Sequence, residues 1–158
     1  MSARRSPRIA IEPMTAEWLP EVLVIERLVF GDPWSAASFR HEVEENATAV
    51  TRVARLWPDG PVLGYFVAWF IEDEVHLGNL AVHPDRQGEG TGQRLLDNLL
   101  EEAGRREARM VTLEVRESNL GAQRLYLRNG FRPIAIRRRY YPDNHEDAIV
   151  MMLERTTS

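Results

Sequence analysis

A glycine-rich turn directly before a leucine-rich helical pattern is the feature that most constrains the fold of this chain. Gly88, Gly90 and Gly92 stand at every second position within "RQGEGTGQRLL", although the whole chain has only ten glycines. Glycine is entropically costly to order, so this spacing indicates that the backbone itself contacts something. A strand, a glycine turn and a helix start together form an anion site, because free N–H groups and the helix dipole converge there.

The spacing of this segment excludes two common phosphate loops. Gln87-x-x-Gly90-x-Gly92 is not the G-x-G-x-x-G dinucleotide fingerprint, and a Walker A loop needs a lysine, which the chain lacks. A turn that merely reverses the chain stays open as the alternative at this point.

Composition removes several classes of chemistry. The chain of 158 residues has no cysteine, which excludes disulfides, thiolate metal sites and a cysteine acyl-enzyme. Its four histidines lack paired metal-ligand spacing, so we expect no metal. A net charge of −4 argues against direct nucleic-acid binding. The longest apolar stretch is about half the length of a membrane helix, and we expect a cytoplasmic protein without a membrane partner.

Hydrophobic periodicity predicts eleven elements in the order β-α-α-β-β-β-α-β-α-β-β. This order indicates an α+β fold with a central, mostly antiparallel mixed sheet flanked by helices. Thr15, Ser35 and Asn119 are predicted helix N-caps, and Gly130 is predicted to end the last helix. We expect residues 1–7 to be a flexible tail and residues 8–155 to be a single domain.

Four segments together resemble the GNAT acetyltransferase superfamily. The Gln-x-x-Gly-x-Gly loop between "NLAVHPD" and the leucine-rich helix resembles motif A of that family. "TLEVRESNLGAQRLYLRNGF", "FGDPWSAASF" and "RRRYYPDNHEDAIVMML" resemble its RimI type, the ribosomal-protein alanine N-acetyltransferases. The resemblance covers most of the chain from about Phe30 onward and implies the GNAT fold.

This resemblance implies acetyl-CoA as co-substrate and locates its binding site. A bulge in the strand before the loop would splay two strands apart and free backbone groups for the pantetheine, and a main-chain N–H of that strand would face the thioester oxygen. In two positions the loop departs from the usual pattern: a carboxylate stands where a basic or amide residue is commoner, and a threonine replaces an aliphatic residue. The implied cofactor-binding residues are Leu80, Ala81, Val82, Gln87, Gly88, Glu89, Gly90, Thr91, Gly92, Gln93 and Asn119.

Two residues are candidates for the chemistry. Glu114 lies in an apolar strand, where burial is expected to raise the pKa of its carboxyl; the alternative is an exposed strand face paired with Arg116. Tyr126 lies twelve residues further on, and its alternative role is core packing. The resemblance implies that Glu114 is the general base and Tyr126 the general acid, and that Asn119 both caps a helix and contacts CoA.

For the acceptor, the resemblance implies an N-terminal peptide, that of a ribosomal protein, which enters between Trp34 and the pair Tyr140 and Tyr141; ordinary surface packing is the alternative for these aromatics. Two other functions stay open. One is a GNAT enzyme that acetylates a lysine side chain or a small amine, and the other is an acyl-CoA-binding subunit without turnover. The histidines His76 and His83 are expected to be structural or exposed.

Overall fold

The computed structural model describes residues 8–155, so the predicted N-terminal tail lies outside the described residues. The predicted order of eleven elements is confirmed, with two short 3₁₀ turns added at Ala16–Trp18 and Pro84–Arg86. The strands and helices are β1 Ile9–Pro13, α1 Leu19–Val29, α2 Ala36–Glu44, β2 Ala49–Leu56, β3 Val62–Ile71, β4 Glu74–Val82, α3 Thr91–Arg105, β5 Met110–Arg116, α4 Leu120–Arg128, β6 Arg132–Arg137 and β7 Ala148–Glu154.

The strands form one mixed sheet of the predicted kind. Its seven strands lie in the order β1-β2-β3-β4-β5-β7-β6. Only the β4–β5 pair in the middle is parallel, and all other neighbours are antiparallel. The connection between the two parallel strands carries the glycine loop and α3, which places both beside the centre of the sheet.

Helices cover both faces of the sheet. Leu95, Leu96 and Leu99 recur at helical spacing along α3 and are fully buried with Tyr126 of α4 on one face. The other face carries α1 and α2, whose inward residues include Phe39. Because β3 is covered from both sides, it reads as one continuous apolar run, as a central buried strand should.

Most of the predicted helix caps are confirmed. Ser35 Oγ accepts a hydrogen bond from the N–H of Ser38 (3.1 Å), and Gly130 takes a φ of 93° after α4. Thr15 was predicted to cap α1, and this is wrong: its side chain caps nothing, because a 3₁₀ turn intervenes and α1 begins four residues later.

Candidate active site

The site is built on a fork between β4 and β5. Their parallel ladder stops at the pair Leu77 and Leu113, and the residues beyond it in the two strands are not paired with each other. On the other side of β4, Val67 pairs with Asn79 but the next β3 residue pairs with Leu77, which leaves Gly78 as a bulge. The bulge implied by the resemblance is therefore present.

Glycine is required at the bulge by close packing. A Cβ on Gly78 would lie 2.4 Å from the ring of Trp69, so no larger residue fits without moving that ring. Beyond the bulge, the N–H of His83 donates to the carbonyl of Leu63 on β3. Since N–H groups alternate along a strand, those of Leu80 and Val82 point away from β3 and into the fork.

A groove of about 420 Å³ opens at one end of the fork and is lined by the glycine loop. Gly88 and Gly90 have φ of 82° and 87°, a conformation that favours glycine, and nothing lies within 4 Å of where their Cβ atoms would stand. The N-terminus of α3 follows at once. Loop and helix together present backbone N–H groups to the groove, which is the expected anion site.

Nearly all predicted cofactor residues line this groove. They are Leu80, Ala81, Val82, Gln87, Gly88, Gly90, Thr91, Gly92, Gln93 and Asn119.

The predicted cofactor residue that does not line the groove is Glu89. Its carboxylate lies 3.7 Å from the guanidinium of Arg86, outside the groove that Arg86 itself lines. Sequence reasoning missed Arg86 and Arg128, two cations that line the groove. Both are positive charges on a wall where phosphates would bind.

A second cleft, of about 530 Å³, opens on the other side of the fork. It meets the first groove at a small set of shared lining residues, which are Val29, Leu80, Asn119, Ala122 and Tyr126. Asn119 stands at this junction because its Oδ1 accepts from the N–H of Ala122 (3.2 Å) and begins α4 there. The two cavities are therefore neighbours that share one wall at the fork.

Aromatic rings form the walls of the second cleft. On one side Trp34, Trp69 and His76 stack in sequence, with ring centroids 6.0 Å and 5.8 Å apart. On the other side Tyr140 and Tyr141 meet edge to face at 5.0 Å. All three predicted acceptor residues thus line this cleft. Sequence reasoning did not identify Trp69 or His76 as part of it.

The loop that carries the two tyrosines is anchored by Arg116, which follows Glu114 on the same face of β5. Its guanidinium donates to both carboxylate oxygens of Asp143 (2.9 Å each) and lies 3.9 Å from the centre of the Tyr141 ring. Gly31 packs directly against Asp143, because a Cβ there would lie 2.3 Å from Asp143 Oδ2. The α1–α2 and β6–β7 loops therefore meet across the cleft.

Glu114 lines the cleft on β5, with 11% of its side chain exposed. Its Oε2 lies 2.9 Å from His76 Nε2, and its Oε1 lies 3.8 Å from Arg137 Nε. Burial is the largest single influence and pushes the pKa of Glu114 up. The hydrogen bond and charge of His76, with the charge of Arg137, outweigh it, so the pKa is lowered. The expected rise in pKa was wrong, because the sequence does not show these partners.

Tyr126 lines both cavities from α4 and packs its ring against Phe131, 5.6 Å away. Burial raises the pKa of its phenol well above the ordinary value, and the neighbouring Tyr141 adds to this. The hydroxyl therefore keeps its proton at neutral pH and is able to donate it. Core packing and a place in the cleft are both realised by this one side chain.

Glu26 of α1 is a buried carboxylate at the back of the cleft that sequence reasoning missed. Tyr65 Oη and Asn79 Nδ2 donate to its Oε1, and the N–H of Trp34 donates to its Oε2 at 2.9 Å. Burial raises the pKa of Glu26 despite these three hydrogen bonds. A signal was present: the residue stands on the apolar stripe of α1, four positions after the buried Val22.

Residues 8–155 contain no group of His, Cys, Asp or Glu side chains able to hold a metal ion. Within the same range, no helix is long and apolar enough to cross a membrane.

The structure thus combines a forked sheet, a glycine loop at the start of the following helix, and a carboxylate and a phenol that line the cavities at the fork. The model of the Acetyltransferase (GNAT) family matches residues 19–131. The chain belongs to this family, and it is an acetyl-CoA-dependent N-acetyltransferase, as the sequence predicted.

The names of individual relatives specify an acceptor as well as the family. The [ribosomal protein bS18]-alanine N-acetyltransferase of Escherichia coli (strain K12) is 37% identical over 137 residues, which are 85% of this chain and 90% of that protein. A Bacillus subtilis (strain 168) protein, provisionally given the same name, is 38% identical over 144 residues, 91% and 94% of the two chains. The crystal structure of the Escherichia coli ribosomal-protein-S18-alanine N-acetyltransferase superposes with a TM-score of 0.86 at 33% identity, covering 96% of each chain.

Proposed function

We propose that this protein transfers the acetyl group of acetyl-CoA to the N-terminal α-amine of a ribosomal protein, with the N-terminal alanine of bS18 as the acceptor. The activity in the names of its relatives supports the choice of acceptor. The observation that carries the proposal is the junction of two cavities at the fork, with Glu114 in the acceptor cleft and Tyr126 lining both.

The groove fits acetyl-CoA by its own chemistry. Thr91 Oγ1 is buried without a hydrogen-bond partner in the described residues, at the first position of α3. The loop glycines leave open space in front of their backbone, and Arg86 and Arg128 supply positive charge. The glycine loop and the start of α3 would hold the pyrophosphate, and the open edge of β4 would hold the pantetheine. When bound, acetyl-CoA supplies the acetyl group as a thioester.

Glu114 acts on the acceptor amine. An α-amino group has a pKa of about 8, so most acceptor arrives as ammonium at neutral pH. The ionised carboxylate of Glu114, directly or through water, takes one proton and leaves a lone pair on the nitrogen. The nitrogen then forms a bond to the acetyl carbon while the bond from that carbon to sulfur breaks. The nitrogen sheds its second proton as the amide forms, and this proton replaces, through water, the one that Tyr126 gives to the sulfur.

Tyr126 and the strand backbone act on the other side of the reaction. The Tyr126 hydroxyl gives its proton to the departing sulfur, and its buried phenol is protonated at neutral pH for this purpose. The N–H groups of Leu80 and Val82 face the fork and stabilise negative charge on the acetyl oxygen. Attack is direct, because the chain has no cysteine to carry an acetyl group.

The aromatic cleft favours an extended chain end over other amines. Trp34 on one side and Tyr140 and Tyr141 on the other leave a slot whose two loops meet at Gly31 and Asp143. A peptide N-terminus enters such a slot as a single extended chain end, whereas an internal lysine would bring the peptide segments on both of its sides to the mouth of the slot. This shape supports an α-amine as the acceptor.

Release of CoA thiol, measured with three acceptors in parallel, tests the proposal. The first is a short peptide beginning Ala-Arg with a free N-terminus, the second is the same peptide blocked at the N-terminus with an internal lysine, and the third is a polyamine. We expect release with the first alone. Release with only the second or third would overturn the acceptor assignment, and binding of acetyl-CoA without release in any arm would overturn the assignment of catalysis.

A further inference from the structure

The histidine beside the proposed base has no role in the reaction described above. His76 pairs with Thr112 in the parallel ladder, one step before the strands part. Side chains alternate along a strand, so Thr112 and Glu114 point to the same face as His76. The register therefore brings His76 Nε2 to 2.9 Å from Glu114 Oε2 and His76 Nδ1 to 3.0 Å from Thr112 Oγ1.

Hydrogen-bond chemistry determines which ring nitrogen donates. An ionised carboxylate accepts only, so His76 Nε2 must carry a proton and donate to Glu114. The Thr112 hydroxyl both donates and accepts, and it satisfies Nδ1 whether that nitrogen is bare or protonated. Nε2 therefore holds the Glu114 carboxylate, and Nδ1 is occupied by the Thr112 hydroxyl.

Packing holds the ring in this plane. The indole of Trp69 stacks on the imidazole with an interplanar angle of 13°, and Trp69 Nε1 donates to Glu42 Oε2 at 2.8 Å. The aromatic wall of the cleft is thus also the support of the histidine. The His76 ring is held on one face by Trp69 and has a partner at each nitrogen. It therefore holds the Glu114 carboxylate in one position.

We propose that His76 is a positioning residue for the acetyl transfer, which fixes the Glu114 carboxylate by holding Oε2 and leaves Oε1 as the oxygen that meets the acceptor amine. This inference rests on the proposed function. Within residues 8–155, the one cationic group within 4 Å of Oε1 is the exposed Arg137, at 3.8 Å, which is beyond hydrogen-bond distance. The proton of the ammonium passes to Oε1 as the nitrogen bonds to the acetyl carbon, and His76 keeps its own proton on Nε2.

The groups that face Glu114 define what removing the histidine does. They are His76 from β4, Arg137 from β6 and Tyr141 from the β6–β7 loop. Without the histidine donor, burial still raises the pKa of Glu114, and the partly screened guanidinium of Arg137 is left to lower it. Glu114 then binds a proton more readily, so a higher pH is needed before this base is ionised.

Two substitutions separate positioning from packing. His76→Phe keeps a flat ring against Trp69 and removes the donor, whereas His76→Gln places an amide donor where Nε2 stood. We expect His76→Phe to lower kcat/KM about tenfold at neutral pH and to move the acid limb of its pH profile to higher pH. His76→Gln should retain most of the activity and the original limb. His41→Phe, at an exposed histidine of α2, is the matched control and should match the unaltered protein.

Each outcome of these assays supports or overturns the proposed role of His76. An unchanged profile in His76→Phe overturns the proposal, and so does an equal loss at every pH with no shift of the acid limb and no rescue by glutamine. The loss should also vanish when His76→Phe is added to Glu114→Gln, and an equal loss in that background overturns it. The assays use whichever acceptor releases CoA thiol, so a wrong acceptor assignment is recognised separately from a wrong role for His76.

Discussion

The buried carboxylate of Glu26 offers the most quantitative test of how the cleft is held together. We replace it with leucine, which has similar volume and therefore leaves little cavity. Three donors then lose their acceptor, but Trp34 and Asn79 line the cleft, where water can replace the carboxylate. Tyr65 is fully buried, so its hydroxyl stays unsatisfied. An orphaned buried hydroxyl costs about 1–3 kcal/mol, so Glu26→Leu should lower the free energy of unfolding by about 2 kcal/mol.

A double-mutant cycle isolates this cause. Tyr65→Phe alone should cost about 1 kcal/mol, because one net hydrogen bond is lost. The double variant of Glu26→Leu and Tyr65→Phe leaves no orphaned hydroxyl, so it should be about 1–2 kcal/mol more stable than the sum of the single effects predicts. Urea unfolding at constant m-value measures all three, and Glu44→Leu at an exposed position of α2 is the control, expected within about 0.5 kcal/mol of the unaltered protein. Additivity within about 0.5 kcal/mol would refute the reasoning.

The same variant has a pH signature. The pKa of Glu26 is raised in the folded protein above its ordinary value of 4.5. As pH rises above that value the unfolded chain releases its proton first, so this residue makes the protein less stable as pH climbs through the raised pKa. Glu26→Leu should remove that part of the decline, measured as the slope of unfolding free energy against pH. An identical slope in both proteins would contradict the raised pKa.

Four further changes test the site. Glu114→Gln should lower kcat about a hundredfold or more, because general-base catalysis contributes a rate factor of that size. Calorimetry should show unchanged acetyl-CoA affinity. Tyr126→Phe should lower kcat about tenfold or more, again without loss of acetyl-CoA affinity. Gly90→Ala forces a side chain into φ of 87°, at a cost of about 1–3 kcal/mol, and should weaken acetyl-CoA binding about tenfold, whereas Gly104→Ala in the C-terminal part of α3 should not. Arg116→Ala releases the acceptor loop and should raise the peptide KM about tenfold at unchanged acetyl-CoA affinity.

Local signals carried most of what the sequence predicted correctly. Ser35 and Asn119 begin helices and Gly130 ends one, and these roles depend on residues about one turn away. A short stretch of sequence is therefore enough to predict them. The apolar run of β3 and the leucine stripe of α3 are likewise local patterns. Thr15 shows the limit, because a favourable cap residue does not reveal that a 3₁₀ turn follows it.

The contacts of the site depended on register, which local patterns do not contain. His76 meets Glu114 only because β4 and β5 pair in parallel with His76 opposite Thr112, after a connection that includes the whole of α3. A shift of one residue would turn Glu114 to the other face of the sheet. The sign of its pKa shift follows from that same register, which is why burial alone predicted the wrong direction.

The pKa values of the two carboxyl groups at the acceptor cleft, Glu114 and Glu26, are shifted in opposite directions. This difference indicates that the two residues have different roles. The pKa of Glu114 is lowered by His76 and Arg137, so it stays ionised and can accept a proton. The pKa of Glu26 is raised by burial, and all of its hydrogen bonds are directed to fixed parts of the wall. Carboxyl groups whose environments separate their pKa values in this way take separate functions. In the proposed mechanism Glu114 therefore serves the reaction and Glu26 the shape of the cleft. A loss of Glu26 should then raise the acceptor KM more than it lowers kcat.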